Sequence, residues 1–131
     1  MYLDACLQGM GAIFNDLIYN VPTPEILKGA PIATHEMFNI LVAIRMFAKN
    51  LHHKMINVFC DNAAVVTILK SGKTKDPLLA TITRYIFMEV AQLDIFLKFS
   101  HISGVSNTIS DLLSRWKNTD AQIKQLYKLD H

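Results

Sequence analysis

The sequence predicts one α/β domain in which a mixed sheet carries helices on its faces. Strand-like segments open the chain, and segments with helical and strand-like apolar spacing alternate after residue 33. Glycine and proline separate most of these segments. The chain has 131 residues, of which 51% are hydrophobic and 18% charged, so it can bury the core of a single domain.

The N-terminal third contains the first strands. Residues 1–6 and 11–20 are predicted to be two strands, because glycines in the intervening LQGMG permit a tight connection. The segment VPTPEILKGAP that follows is rich in proline and glycine. We therefore expect a loop here, with at most one short edge strand around Ile26 and Leu27.

The middle of the chain alternates between helix and strand. Apolar residues at helical spacing predict an amphipathic helix from Thr34 to about Leu51. The apolar run MINVFC is typical of a strand buried on both faces, and AAVVTILK predicts a short helix that stops at Ser71 and Gly72.

The last third begins with a capped helix. Asp76 followed by Pro77 predicts a helix start, and the helix should extend to about Leu93. IFLKFSHI is the last predicted strand, and a helix over about 108–117 follows it. We expect residues 1–117 to form the domain and residues 118–131 to form a helical C-terminal tail.

Charge and cysteine content bear on the partners and the cellular location to be expected of the protein. The net charge of +2 does not by itself indicate a nucleic-acid partner. Cys6 and Cys60 have neither a metal-type spacing nor a secreted-disulfide pattern, so we expect buried, reduced thiols and an intracellular location, in cytoplasm or nucleus. No apolar run approaches the roughly 20 residues that cross a bilayer, so no membrane association is expected. The chain begins abruptly inside a strand, which suggests a domain of a longer polypeptide.

Four of the eleven acidic residues occupy positions that favour a metal site. Asp4 lies within an apolar strand, and Asp61 follows a buried strand at the end where open α/β sheets place their sites. Glu36 and Asp111 each fall in the first turn of a predicted helix. If the two strands are neighbours, the four carboxylates can converge and bind hard divalent ions such as Mg²⁺.

Each of these acids also has a purely structural interpretation. Asp61 could cap the following helix, and Asp111 fits a capping box with Thr108. Glu36 could complement the dipole of its helix. Asp4 is the hardest to explain in this way, because strand interiors disfavour aspartate.

Four segments carry a resemblance to a known family. They are D-A-C-x-x-G-x-G-A from Asp4, the helix containing Glu36, V-F-C-D-N-x-x-V-V from Val58, and H-x-x-G-x-x-N-x-x-x-D-x-L-S-R from His101. In this order, the segments resemble the ribonuclease H domains of retroelement polyproteins, particularly those of DIRS-type retrotransposons and pararetrovirus-like elements. The resemblance covers about residues 1–116.

The resemblance implies a ribonuclease H-like fold, with a five-stranded mixed sheet flanked by helices. It implies that Asp4, Glu36, Asp61 and Asp111 bind two Mg²⁺ or Mn²⁺ ions, and that His101 assists proton transfer or product release. On structural grounds alone, His101 could equally be a surface histidine.

The resemblance also implies a substrate and a partner. The family cuts the RNA strand of RNA–DNA hybrids, beside an attached reverse transcriptase. Gly9, Gly11, Asn62 and Asn107 would lie along the substrate, although Asn107 could simply cap the last helix. Two other functions stay open: a non-catalytic interaction or spacer domain of this fold, and a transposase or integrase core. Asp111 favours ribonuclease H over the latter, which typically has a glutamate on the last helix.

Overall fold

Five strands form one mixed sheet in the computed structural model, which describes residues 1–5 and 9–104. The strands are β1 (Tyr2–Ala5), β2 (Gly9–Phe14), β3 (Leu17–Pro22), β4 (Met55–Cys60) and β5 (Phe96–His101). Their order across the sheet is β3-β2-β1-β4-β5. The first three strands are antiparallel, whereas β4 is parallel to both β1 and β5. This arrangement confirms the predicted fold class.

Within the described residues, four α-helices accompany the sheet: α1 (Ile32–Met46), α2 (Ala48–Leu51), α3 (Ala63–Ser71) and α4 (Pro77–Leu93). Helix α1 packs against β1, β2 and α4, and α3 packs against β4 and β5. Among the helices of the described residues, none is long and apolar enough to cross a membrane.

The core lies between α1 and the sheet, and it fixes where α1 sits. Its largest fully buried apolar side chains come from α1 and the residue that follows it, and from α2, β4 and α4. They include Met37, Ile40, Ile44, Phe47, Leu51, Val58 and Ile86. Burying a side chain of this size contributes roughly 1.5–3 kcal/mol. Because several of these residues belong to α1, the core holds this helix against β1, the strand that carries Asp4, and against β2.

The N-terminal strands differ from the prediction. Residues 11–20 do not form one strand, because the chain reverses at Asn15 and Asp16 between β2 and β3. Asn15 has a φ of 53°, a left-handed conformation that asparagine tolerates better than most residues. The short edge strand that the prediction allowed around Ile26 and Leu27 does not form, because Glu25–Leu27 form a turn of 3-10 helix. The third strand is instead β3.

Two helix boundaries also differ from the prediction. Helix α1 begins at Ile32 rather than Thr34, so Glu36 lies in its second turn rather than its first. The predicted single helix to Leu51 is interrupted at Phe47, which separates α1 from α2. By contrast, Asp76 caps α4 as predicted, and Gly72 ends α3 with a φ of 71°. The helix predicted over 108–117, the tail and the boundary at residue 117 lie outside the described residues.

Candidate metal centre

The register between β1 and β4 brings Asp4 level with Asp61. Tyr2 of β1 lies opposite Phe59 of β4 in a parallel pair, and their rings are 4.8 Å apart. Asp4 is two residues beyond Tyr2, and Asp61 is two residues beyond Phe59. Because side chains alternate along a strand, the two carboxylates occupy equivalent positions at the carboxyl ends of neighbouring strands. Burial raises the pKa of Asp4, and the negative charge of Asp61 raises it further.

Glu36 reaches the same place from α1. A carboxylate oxygen of Glu36, the Sγ of Cys60 and a carboxylate oxygen of Asp61 all lie within 4.8 Å of one another. Asp4 is near enough to contribute to the pKa shift of Glu36. The structure therefore brings together Asp4, Glu36 and Asp61, which we call the carboxyl cluster.

Burial and mutual repulsion disfavour the fully ionised state of the carboxyl cluster. Burial, and then the charges of Asp61 and Asp4, raise the pKa of Glu36 from its ordinary 4.5 to about 7. Hydrogen bonds from Asn62 and Cys60 partly oppose this rise. The pKa of Asp4 is also raised, by burial first and then by Asp61, although the backbone N–H of Ala5 stabilises its charged form. Removing negative charge, or adding a cation, would reduce the electrostatic repulsion within this cluster.

Cys60 is a member of the site that the sequence did not reveal. Cys60 is 4% exposed, and its thiol donates a weak hydrogen bond to Oε2 of Glu36, at 3.9 Å. Burial, together with the nearby carboxylates, raises the pKa of Cys60 to about 11. The side chain is therefore a neutral thiol at physiological pH, in agreement with the predicted buried, reduced cysteine. Cys6 lies outside the described residues.

Asn62 and His101 flank the carboxyl cluster. Asn62 caps α3, because its side-chain oxygen accepts from the backbone N–H groups of Ala64 and Val65 at 3.0 and 3.2 Å. It also hydrogen-bonds Glu36. Asn62, rather than Asp61, is thus the helix cap. Exposed His101 ends β5 and has its Nε2 3.1 Å from the carbonyl oxygen of Asp61, so an imidazole stands beside the cluster.

Gly9 and Gly11 have a packing reason to be glycine in addition to any role in substrate binding. A Cβ on Gly11 would lie 2.9 Å from the carbonyl oxygen of Tyr19, and one on Gly9 would lie 3.2 Å from that of Val21. Both carbonyls belong to β3, so a side chain would push the neighbouring strand away. Their predicted contact with substrate stays a prediction.

Two of the predicted site residues, Asp111 and Asn107, lie outside the described residues. The site described here therefore consists of three of the four predicted acids, with His101 and Asn62 at its edge. Sequence reasoning also missed Asn39 and Tyr19, two buried polar residues behind the cluster. No sequence pattern marked either residue, because Asn39 does not belong to the apolar spacing that predicts the helix.

The donor set of the carboxyl cluster fits a hard divalent cation. Carboxylate oxygens are the ligands that Mg²⁺ and Mn²⁺ prefer. Across residues 1–5 and 9–104 the lysine, arginine and histidine ion pairs involve Glu25, Glu89 and Asp94, and neither Asp4 nor Glu36 has such a partner. Partly buried carboxylates with raised pKa values and without a protein cation are stabilised when a metal ion supplies the positive charge.

Comparisons with known proteins found no matching protein family, no matching curated protein and no matching solved structure. The functional assignment consequently rests on the chemistry of the carboxyl cluster and on the sequence motifs that surround it.

Proposed function

We propose that this chain is a metal-dependent ribonuclease H, which hydrolyses the RNA strand of RNA–DNA hybrids. The observation that carries the proposal is the convergence of Asp4, Glu36 and Asp61 at the carboxyl ends of β1 and β4. Those three acids are the ones that the ribonuclease H-like motifs single out. Asp111 would complete the set of ligands.

The residues of the site divide the work in a way that suits phosphodiester hydrolysis. Asp4, Glu36, Asp61 and Asp111 would hold two Mg²⁺ or Mn²⁺ ions, which when bound supply an activated water and stabilise the leaving oxygen. His101 stands next to Asp61, where its imidazole can accept or deliver a proton at the edge of the site. Asn62 holds the start of α3 and the carboxylate of Glu36 in place.

The same resemblance makes an attached reverse transcriptase the expected partner. An RNA–DNA hybrid is the product of reverse transcription, and a domain with a net charge of only +2 has little general attraction for nucleic acid. Affinity for the hybrid would then come largely from the neighbouring polymerase domain. We expect weak activity when this chain is assayed alone.

The decisive experiment incubates the protein with an end-labelled RNA–DNA hybrid and Mg²⁺ or Mn²⁺. We expect cleavage of the RNA strand of the hybrid, with little cleavage of single-stranded RNA or DNA duplex. Asp61→Asn should lower the rate by about a hundredfold or more, because it removes a metal-binding charge. Asp94→Asn is the matched control, since this exposed aspartate pairs with His53 rather than with the cluster.

Equal rates for wild type and Asp61→Asn would overturn the proposal. A non-catalytic spacer domain would show neither hybrid cleavage nor binding of divalent ions by calorimetry. A transposase or integrase core would instead show strand transfer on DNA.

A further inference from the structure

A buried polar network joins α1 to the strands directly behind the carboxyl cluster. The side-chain amide nitrogen of Asn39 donates to the carbonyl oxygens of Asp4, at 3.0 Å, and Gly11, at 2.8 Å. The hydroxyl of Tyr19 lies within hydrogen-bonding distance of Oδ1 of Asn39, and 3.1 Å from the carbonyl oxygen of the same residue. We call Asn39, Tyr19 and these two strand carbonyls the amide network.

The chemistry of the amide network fixes which way the amide of Asn39 points. Burial raises the pKa of Tyr19 well above its usual range, so its hydroxyl keeps its proton and is a hydrogen-bond donor. A donor beside Oδ1 and two carbonyl acceptors beside the nitrogen allow only one orientation of the amide. Asn39 is 0% exposed and Tyr19 is 2% exposed, so water does not compete for these bonds.

The amide network lies between the two elements that bear Glu36 and Asp4, helix α1 and strand β1. One acceptor is the backbone carbonyl of Asp4 itself, and the other belongs to Gly11, which lies opposite Asp4 in the sheet. Glu36 precedes Asn39 by three residues on α1, which puts both side chains on the same side of the helix. One amide thus connects the helix that bears Glu36 to the strand that bears Asp4.

We propose that Asn39, oriented by Tyr19, is a positioning residue for the candidate metal centre, and that it sets the spacing between the carboxylates of Glu36 and Asp4. An apolar residue of similar size would suit the surrounding core, but it would leave the distance between α1 and β1 to packing alone. The inference rests on the proposed function, because it concerns the affinity of the same site for divalent ions.

The test measures Mn²⁺ binding by isothermal titration calorimetry, on the full chain and without nucleic acid. Asn39→Leu removes the amide, whereas Tyr19→Phe keeps the aromatic ring and removes only the hydroxyl that orients it. We expect Mn²⁺ binding to weaken about tenfold or more in Asn39→Leu, and about threefold in Tyr19→Phe. Partial unfolding would lower the number of sites per molecule, whereas misplaced carboxylates lower the affinity at each site.

Thr83→Val is the matched control. Thr83 is 3% exposed, and its hydroxyl donates to the carbonyl of Leu79 within α4, so the variant loses one buried hydrogen bond away from the cluster. We expect its Mn²⁺ affinity to stay within twofold of wild type. If Asn39→Leu does not fold, the comparison of Mn²⁺ affinity between Tyr19→Phe and Thr83→Val tests the inference.

Two results would overturn the inference while leaving the proposed function intact: unchanged Mn²⁺ affinity in folded Asn39→Leu or Tyr19→Phe, or an equal loss in Thr83→Val. Wild type that neither binds Mn²⁺ nor cuts the hybrid would instead remove the proposed function, and the inference with it.

Discussion

Glu36 of the carboxyl cluster and Asn39 of the amide network lie three residues apart on α1, yet the electrostatics of the two groups differ. In the amide network, each donor faces an acceptor, and no group carries a net charge. In the carboxyl cluster, burial first and then the charges of neighbouring acids raise the pKa values of Glu36 and Asp4. The first arrangement stabilises the folded chain by itself, whereas the second stabilises it only after a proton or a cation is added.

This contrast indicates how a small domain can hold a repulsive site in place. Carboxylates that repel one another tend to move α1 away from β1. The hydrogen bonds of Asn39 resist that movement, because they join α1 to the backbone carbonyls of Asp4 in β1 and of Gly11 in β2. The two groups should therefore respond differently to mutation, metal and pH.

The largest effect on stability is expected from Asn39→Ala. The substitution leaves the carbonyls of Asp4 and Gly11 and the hydroxyl of Tyr19 buried without their partner, and it opens a cavity. We expect the free energy of unfolding to fall by about 2–4 kcal/mol, measured by urea denaturation without divalent ions. Asn50→Ala is the control, because Asn50 is helical but exposed, and alanine there should change stability little. Similar losses in both variants would contradict the importance of the network.

Features that depend on local sequence were predictable from it. Asp76 with Pro77 begins α4, and Gly72 ends α3, because capping involves only adjacent residues. Asp4 was likewise singled out by its position within an apolar strand, and Asp61 by its position after one. The hairpin at Asn15 was missed because apolar residues continue on both sides of it, and the pair Asn15–Asp16 is a weak turn signal.

Features that depend on register were not predictable. The thiol of Cys60 faces Glu36 only because α1 packs over the end of β4. The amide of Asn39 acquires its partners from two different strands, which are far from it in the sequence. Neither residue type has a periodic pattern that would mark it, so tertiary structure was needed to identify both.

Divalent ions are expected to change the free energy of unfolding slightly less than Asn39→Ala does. They should stabilise the carboxyl cluster and leave the amide network unchanged. A ligand that binds only the folded state at about 100 times its dissociation constant adds about 2.7 kcal/mol. Mn²⁺ at that concentration should raise the melting temperature of wild type by several degrees in a thermal-shift assay. Asp61→Asn should lose most of the rise, whereas Asp94→Asn should keep it. No rise in wild type would count against the cluster as a metal site.

The smallest effect is the pH dependence of stability without metal. The pKa of Glu36 is 4.5 in its ordinary state and about 7 in the folded protein, so between these values the folded chain keeps a proton that the unfolded chain releases. Stability from this residue is therefore complete below pH 4.5, and it is lost as the pH rises through about 7. Because the carboxyl is partly exposed to solvent, we expect a loss of about 1–2 kcal/mol, and Asp4 should add to it in the same direction.

Glu36→Gln provides the test, because its side chain cannot ionise. Urea denaturation in EDTA from pH 4.5 to 8 measures the unfolding free energies of this variant and of wild type, and their difference isolates the effect of Glu36. The stability of the variant relative to wild type should rise with pH, and a constant difference would show that the pKa of Glu36 is not raised in the folded protein.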